Sequence, residues 1–314
     1  MDRARQLEHP GWTANLLRAA GVRPGERVLV VVDEPLLEQG SQLVAAATDG
    51  GARARLELWR GAAPVEHGIV SDVIFLLAQE PKLDEARERG ALYQSARTRG
   101  GRAMFLGFVT PELLAGELSQ PGPDLAPTAT RLLRELDGAR EVRVTGGAGT
   151  DLTLRVGGRP WLTDSKVLDA GDFANYPDGE VWVAPHSDGA DGVLVADLTV
   201  PFTVDGLVDA PVTLRFERGR VAAIEGGRAA QMLRELVADA GNGADVVAEL
   251  GIGFNPTVTP RGHVMLDEKA ARTAHVAIGG NIGYFGDNDA AIHVDCVFSD
   301  PQVWIDGRKL ELPA

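Results

Sequence analysis

Arg27-Val-Leu-Val-Val-Val32 is the stretch on which the fold turns. Val28 to Val32 are aliphatic without polar alternation, the pattern of a strand covered on both faces in a parallel sheet. Upstream, Trp12, Leu16, Leu17 and Ala20 recur near helical spacing over residues 11–20, and Gly21 and Pro24 end that helix. Downstream, Leu36–Thr48 reads as a helix, and the Gly50-Gly51 break leads into a strand over Ala54–Trp59. Val70–Ala78 and Ala103–Phe108 read as two further buried strands, separated by a charged helix over Lys82–Arg97. Strand and helix in alternation predict a parallel sheet with right-handed crossovers. Acidic Val32-Asp33-Glu34-Pro35 follows the first strand, where a dinucleotide needs a glycine-rich turn of backbone amides, so no such site is expected.

The pattern changes after Pro121-Gly-Pro-Asp-Leu-Ala-Pro127, the best linker by its proline and glycine content. A helix over Ala129–Leu136 is followed by short strands over Glu141–Val144, Asp151–Val156, Glu180–Ala184, Gly192–Val200, Val212–Glu217 and Val221–Ile224. The last two read as a hairpin about Arg218-Gly219, and a helix over Arg228–Asp239 comes next. The expectation is an α/β domain with a parallel sheet over residues 1–125. An α+β, metal-binding domain with a mixed or antiparallel sheet is expected over residues 126–314. No internal repeat or low-complexity tract interrupts either.

Forty-five acidic against 31 basic residues leave a net charge of −14, which repels nucleic acid and anionic lipid, so neither is an expected partner. The one cysteine, Cys296, rules out an internal disulfide framework or a zinc ribbon and fits a cytoplasmic location. Met1–Pro10 lacks the apolar core of a signal peptide, and the longest apolar run, Val28–Val32, is too short to span a bilayer.

The chemistry lies in the second half. Ala291-Ile-His-Val-Asp-Cys-Val-Phe298 sets His293 and Asp295 two apart, on one face of a strand. His275 in Thr273-Ala-His-Val-Ala-Ile-Gly279 and Glu249 in Val246-Val-Ala-Glu-Leu-Gly-Ile-Gly-Phe254 are likewise embedded in apolar sequence, where an unpaired charge is costly. A divalent cation would compensate several such groups at once. Asn175-Tyr-Pro-Asp-Gly-Glu180 is a turn that delivers Glu180 to the start of a strand. Each has a bland reading too: Glu180 as a solvated strand opening, Glu249 on a strand surface, His275 as a satisfied core residue. Asp267 and Glu268 begin a charged helical turn and read by default as acidic decoration of a helix N-terminus. It is the combination, two histidines with several carboxylates, that points to a metal. Nitrogen and oxygen donors without thiolate suit zinc, cobalt, manganese or Fe(II), and five ligands exceed one tetrahedral ion. Strand alternation turns Cys296 away from Asp295, as a core residue. His9, His67, His186 and His263 are poor candidates by their context.

In this order the segments resemble the M29 family of metallo-aminopeptidases. The likeness is carried by Pro177-Asp-Gly-Glu-Val181 with Pro185, by Glu249 before its glycine-rich strand, by Asp267-Glu-Lys269 with His275-Val-Ala-Ile-Gly279, and by His293-x-Asp295. It covers residues 126–314 well and the first half loosely. The resemblance implies metal ligands Glu180, Glu249, His275, His293 and Asp295, a two-metal site of zinc, cobalt or a similar ion, removal of N-terminal residues from peptides, and a homodimer. The chain is shorter than those peptidases, and the expected tyrosine, here Tyr284, is displaced by Gly280-Asn-Ile-Gly283. A branch of the same fold, resembling 2,5-dihydroxypyridine dioxygenase, binds one Fe(II) through a histidine where this chain has Glu249. That branch lacks a counterpart of His275, although Leu250-Gly-Ile-Gly-Phe-Asn-Pro256 resembles it in length and glycine placement.

The reading is therefore a metal-dependent hydrolase of an amide bond in a small molecule or short peptide, with two zinc, cobalt or manganese ions. Glu268, on the turn leading to His275, is the expected general base, and Tyr284 the expected oxyanion donor. The alternatives are an Fe(II) ring-cleaving dioxygenase using Glu249, His293 and Asp295, and a catalytically silent metal-binding protein.

Overall fold

The structure is a computed structural model that describes residues 9–62 and 65–313. The reading of the first eight residues as free of a signal sequence lies outside them. The chain divides into two compact units, Met1–Pro123 with Lys166–Pro177, and Asp124–Ser165 with Asp178–Ala314.

The first unit is built on a wholly parallel sheet in the spatial order Arg53–Leu58, Arg27–Val32, Val73–Ala78, Arg102–Gly107, Phe173–Asn175. Val28 to Val32 and all of Val73–Ala78 are buried, as their unbroken apolar sequence requires. Leu29, Val31, Ile74 and Leu76 pack with Leu92, Tyr93 and Ala96 of the helix Ala86–Arg97. The helix Leu37–Asp49 seats Gly40 on the sheet so closely that a Cβ there would lie 2.6 Å from Leu56 Cδ1 and 2.8 Å from Val32 Cγ1.

Two details differ from the sequence reading. The strand expected from Val70 begins at Val73, because Val65–Ile69 forms a short helix. Beyond the expected boundary at residue 125, Lys166–Pro177 returns to the first unit, where Phe173–Asn175 pairs with Arg102–Gly107. A strand of three residues, only Ala174 of them fully buried, leaves no periodicity to read.

The second unit holds two antiparallel sheets. One runs Arg220–Glu225, Val212–Glu217, Ala190–Ala196, Asp151–Arg155, Glu141–Thr145, Gln302–Ile305, Arg308–Leu310. The other runs His293–Ser299, Thr273–Gly279, Val247–Gly253, Glu180–Val183, Leu162–Thr163. In this second sheet every residue of Val247–Gly253 and Thr273–Gly279 is buried. Both strands read as apolar runs interrupted only by groups that carry chemistry, and the register decides where those groups meet. Among the described residues no helix is long and apolar enough to cross a membrane.

Candidate metal centre

Side chains in a strand alternate between faces, and directly paired residues share a face. Glu180 pairs with Gly253, Gly251 with His275, Ala277 with Asp295 and Gly279 with His293. Glu249 pairs with Ala277. Glu180, Glu249, His275, His293 and Asp295 therefore project from one face of four neighbouring strands. The small residues Gly251, Gly253, Ala277 and Gly279 on that face leave room for them. At Gly251 the room is essential, since a Cβ would stand 2.0 Å from His275 Cε1. Gly251→Ala is thus expected to displace the imidazole and to weaken metal retention at least about tenfold, read by equilibrium dialysis. Unchanged retention would mean that His275 is no ligand.

The groups meet closely. His275 Nε2 lies 3.2 Å from Glu249 Oε1, and 3.8 Å from both Glu180 Oε2 and Asp295 Oδ1. His293 Nε2 lies 3.5 Å from Glu249 Oε2 and 3.3 Å from Asp295 Oδ1. The two oxygens of Glu249 thus face different imidazoles. His293 Nδ1 is 2.7 Å from the Gly280 carbonyl oxygen; donating its proton there fixes the tautomer and leaves Nε2 free to bind a cation. Glu180, Glu249 and His275 each place a donor atom within 4.8 Å of the others, and so do Glu268, His275 and Asp295.

The helix Val264–Asp267 and the residues that follow it overturn the bland reading of Asp267 and Glu268. Asp267, Glu268 and Lys269 are all buried. Asp267 accepts hydrogen bonds from the amides of Arg261 and Gly262 at 2.9 and 2.7 Å and from the Thr199 hydroxyl, tying the loop down. Lys269 Nζ lies 3.1 Å from Asp164 Oδ2 and from Glu268 Oε1, and it also bonds Glu180 Oε1. In the sequence Lys269 enters only as part of the Asp267-Glu-Lys269 motif, with no role of its own, and Asp164 does not enter at all. The adjacent Glu-Lys pair was visible, but a charged triplet at a helix end reads as solvated.

Tyr284 is half-buried, with its ring 5.4 Å from that of His293. His186 hydrogen-bonds the Gly157 carbonyl and His67 pairs with Glu57, so neither belongs to this cluster. Cys296 is buried, with its thiol pushed up by burial.

The electrostatics test whether a cation fits. Asp164, Glu180, Glu249, Glu268 and Asp295 converge on one ammonium and two imidazoles. With neutral imidazoles this is five negative charges against one positive, in a setting where an uncompensated charge is costly. Burial raises the carboxyl groups of Glu180 and Glu268, and Lys269 opposes that rise. Burial works to lower His275 and His293, yet the carboxylates outweigh it and push them up to about 10 and about 9. Protons here do what a divalent cation would do. Glu180 Oε2, buried and without a hydrogen-bond partner among the described residues, is a further open donor. The residues fit a divalent metal held by nitrogen and oxygen.

An α/β unit with a parallel sheet, and a second unit whose antiparallel sheet gathers carboxylates and histidines able to hold metal, define a two-domain α/β protein with a candidate metal centre. Residues 92–311 match the family model described as "NicX: 2,5-dihydroxypyridine 5,6-dioxygenase", and the chain belongs to that family. It is also related to the aminopeptidases its motifs resemble. Aminopeptidase AmpS of Bacillus subtilis is 28% identical over 182 residues, 51% of this chain and 43% of that protein. The 2,5-dihydroxypyridine 5,6-dioxygenase of Pseudomonas putida is 30% identical over 139 residues, 43% of this chain and 39% of that protein. The aligned region thus spans about two-fifths of each relative's length. Among solved structures, 2,5-dihydroxypyridine dioxygenase from Pseudomonas putida superposes with a TM-score of 0.78 at 18% identity, covering 99% of this chain and 97% of that one. AmpT from Thermus thermophilus does so at 0.68 and 17%, covering 96% and 98%. At these identities the likeness is one of fold. The relatives are enzymes, and they catalyse two different reactions.

Proposed function

We infer that the chain is a metal-dependent hydrolase of an amide bond in a small molecule or short peptide. The observation that carries this reading is Glu249, whose two oxygens face His275 and His293 separately, so that it could serve two cations at once. Glu180 and His275 would complete one site, and His293 with Asp295 the other. Bound zinc, cobalt or manganese would polarise the substrate carbonyl and bring a water pKa toward about 7. Glu268, held by Lys269 in the same cluster, would be the base that accepts a proton from the attacking water. Burial, reinforced by the fields of Glu249 and Asp295, raises the Tyr284 phenol well above its ordinary value, so it keeps its proton and can donate to a developing oxyanion. A homodimer, as in the resembled family, belongs to this proposal and is checked by sedimentation.

The family match supports a second reading, an Fe(II) dioxygenase using Glu249, His293 and Asp295 as a facial set. Elemental analysis of protein purified without added metal separates the two. About two equivalents of zinc, cobalt or manganese, with release of amine from aminoacyl amides, is the expected result. One equivalent of iron, with oxygen uptake on a dihydroxylated pyridine and no amide cleavage, would replace the hydrolase by the dioxygenase.

A further inference from the structure

The parallel sheet of the first unit carries a site that the metal chemistry does not use. From Arg27–Val32 the chain crosses to Arg53–Leu58 on one side and then to Val73–Ala78 on the other. The connections part at the carboxyl ends of these strands, and such a switch point opens a crevice where ligands bind in open α/β sheets. Here it is a cavity of about 460 Å³, the size of a small-molecule pocket, lined by residues 33 to 89 of this one unit.

The lining is chemically specific. Asp33, directly after the first strand, accepts through Oδ2 from the amides of Gln79 and, more weakly, Glu80, at 2.6 and 3.4 Å. Its Oδ1 is shielded from solvent and has no hydrogen-bond partner among the described residues, and the same holds for the Trp59 indole N–H. An unmet buried acceptor and an unmet buried donor are each costly. Burial raises the Asp33 carboxyl, a strain that a cationic partner would relieve. Glu85 and Arg89 pair with each other. The other charged side chains of the lining are Asp33 and Glu80 against Arg60 and Lys82, and none of the four forms an ion pair among the described residues. Trp59, Pro35 and Leu76 supply an apolar wall.

We propose that this cavity binds a small zwitterion of the amino-acid class, its ammonium held by Asp33 and Glu80, its carboxylate by Arg60 and Lys82, and an apolar side chain laid against Trp59. Two anionic and two cationic side chains in one lining can complement both ends of such a ligand, whereas a nucleotide phosphate would meet Asp33 and Glu80 as like charges. The apolar wall favours leucine or phenylalanine over glycine. The proposal stands on the cavity alone and does not depend on the reaction at the metal centre.

The test is a thermal-shift and calorimetric titration of the full chain with L-leucine, L-phenylalanine and glycine at millimolar concentration. Saturable binding of an apolar amino acid, with a rise of a few degrees in Tm, is expected. The double variant Arg60→Ala/Lys82→Ala changes two exposed side chains and should keep the fold. It should bind at least about tenfold more weakly, as should Asp33→Asn. Binding should survive in Glu249→Ala, which alters only the metal centre. Absence of binding to the wild type, binding unaffected in the double variant, or binding lost with Glu249→Ala would each overturn the proposal.

Discussion

Alanine at Glu249 is expected to abolish turnover, by roughly 10³-fold or more, and to strip metal from the protein while the fold survives. Among the described residues Glu249 is the one group whose two oxygens face both imidazoles, so its removal opens both halves of the centre at once. His293→Ala should be more selective. It removes the ligand 3.3 Å from Asp295 but leaves Glu180, Glu249 and His275 together, so a substantial part of the bound metal should remain while activity is lost. Metal content per chain, read beside circular dichroism, distinguishes the two variants. If Glu249→Ala kept its full metal content and its activity, the centre would lie elsewhere.

The second large effect belongs to stability. Lys269→Met is expected to cost about 3–5 kcal/mol, because it strands the buried carboxylates of Asp164, Glu180 and Glu268 without their common cation. The methionine fills much of the volume, so the loss reports charge more than packing. Without the ammonium, Glu180 and Glu268 rise further above their unfolded values. A carboxyl raised in the folded state stabilises below its unfolded pKa and loses that contribution as pH rises through the folded one. The deficit of the variant should therefore shrink toward acid pH and widen toward neutrality. Urea unfolding of metal-free protein at several pH values checks this; a loss below about 1 kcal/mol at neutral pH would show that Lys269 is not the keystone of the charge balance.

Lys269 also marks where the sequence stops being legible. Asp267-Glu-Lys269 looks like a solvated helix end, because a charged triplet pays nothing for exposure. Its burial follows from the close seating of the loop over Gly253, where a Cβ would stand 2.7 Å from the Glu268 carbonyl oxygen. Glu180 lies 89 positions before Lys269, and no local pattern encodes a contact over that distance.

What the sequence determined by itself was local. The unbroken Val28–Val32 run required a strand covered on both faces, and a period of two put His293 and Asp295 on one side of theirs. Glu249 and His275 stood out because polar groups in apolar runs need partners. Only the tertiary structure decided who those partners are. The pairing of Gly251 with His275 and of Ala277 with Asp295 aligned the faces of separate strands, and a slip of one residue would have turned every one of these groups the other way. The return of Phe173–Asn175 to the first sheet and the sealing of Lys269 among three carboxylates were likewise decided by packing. Periodicity is a property of neighbours in the chain, whereas register and charge balance belong to neighbours in space.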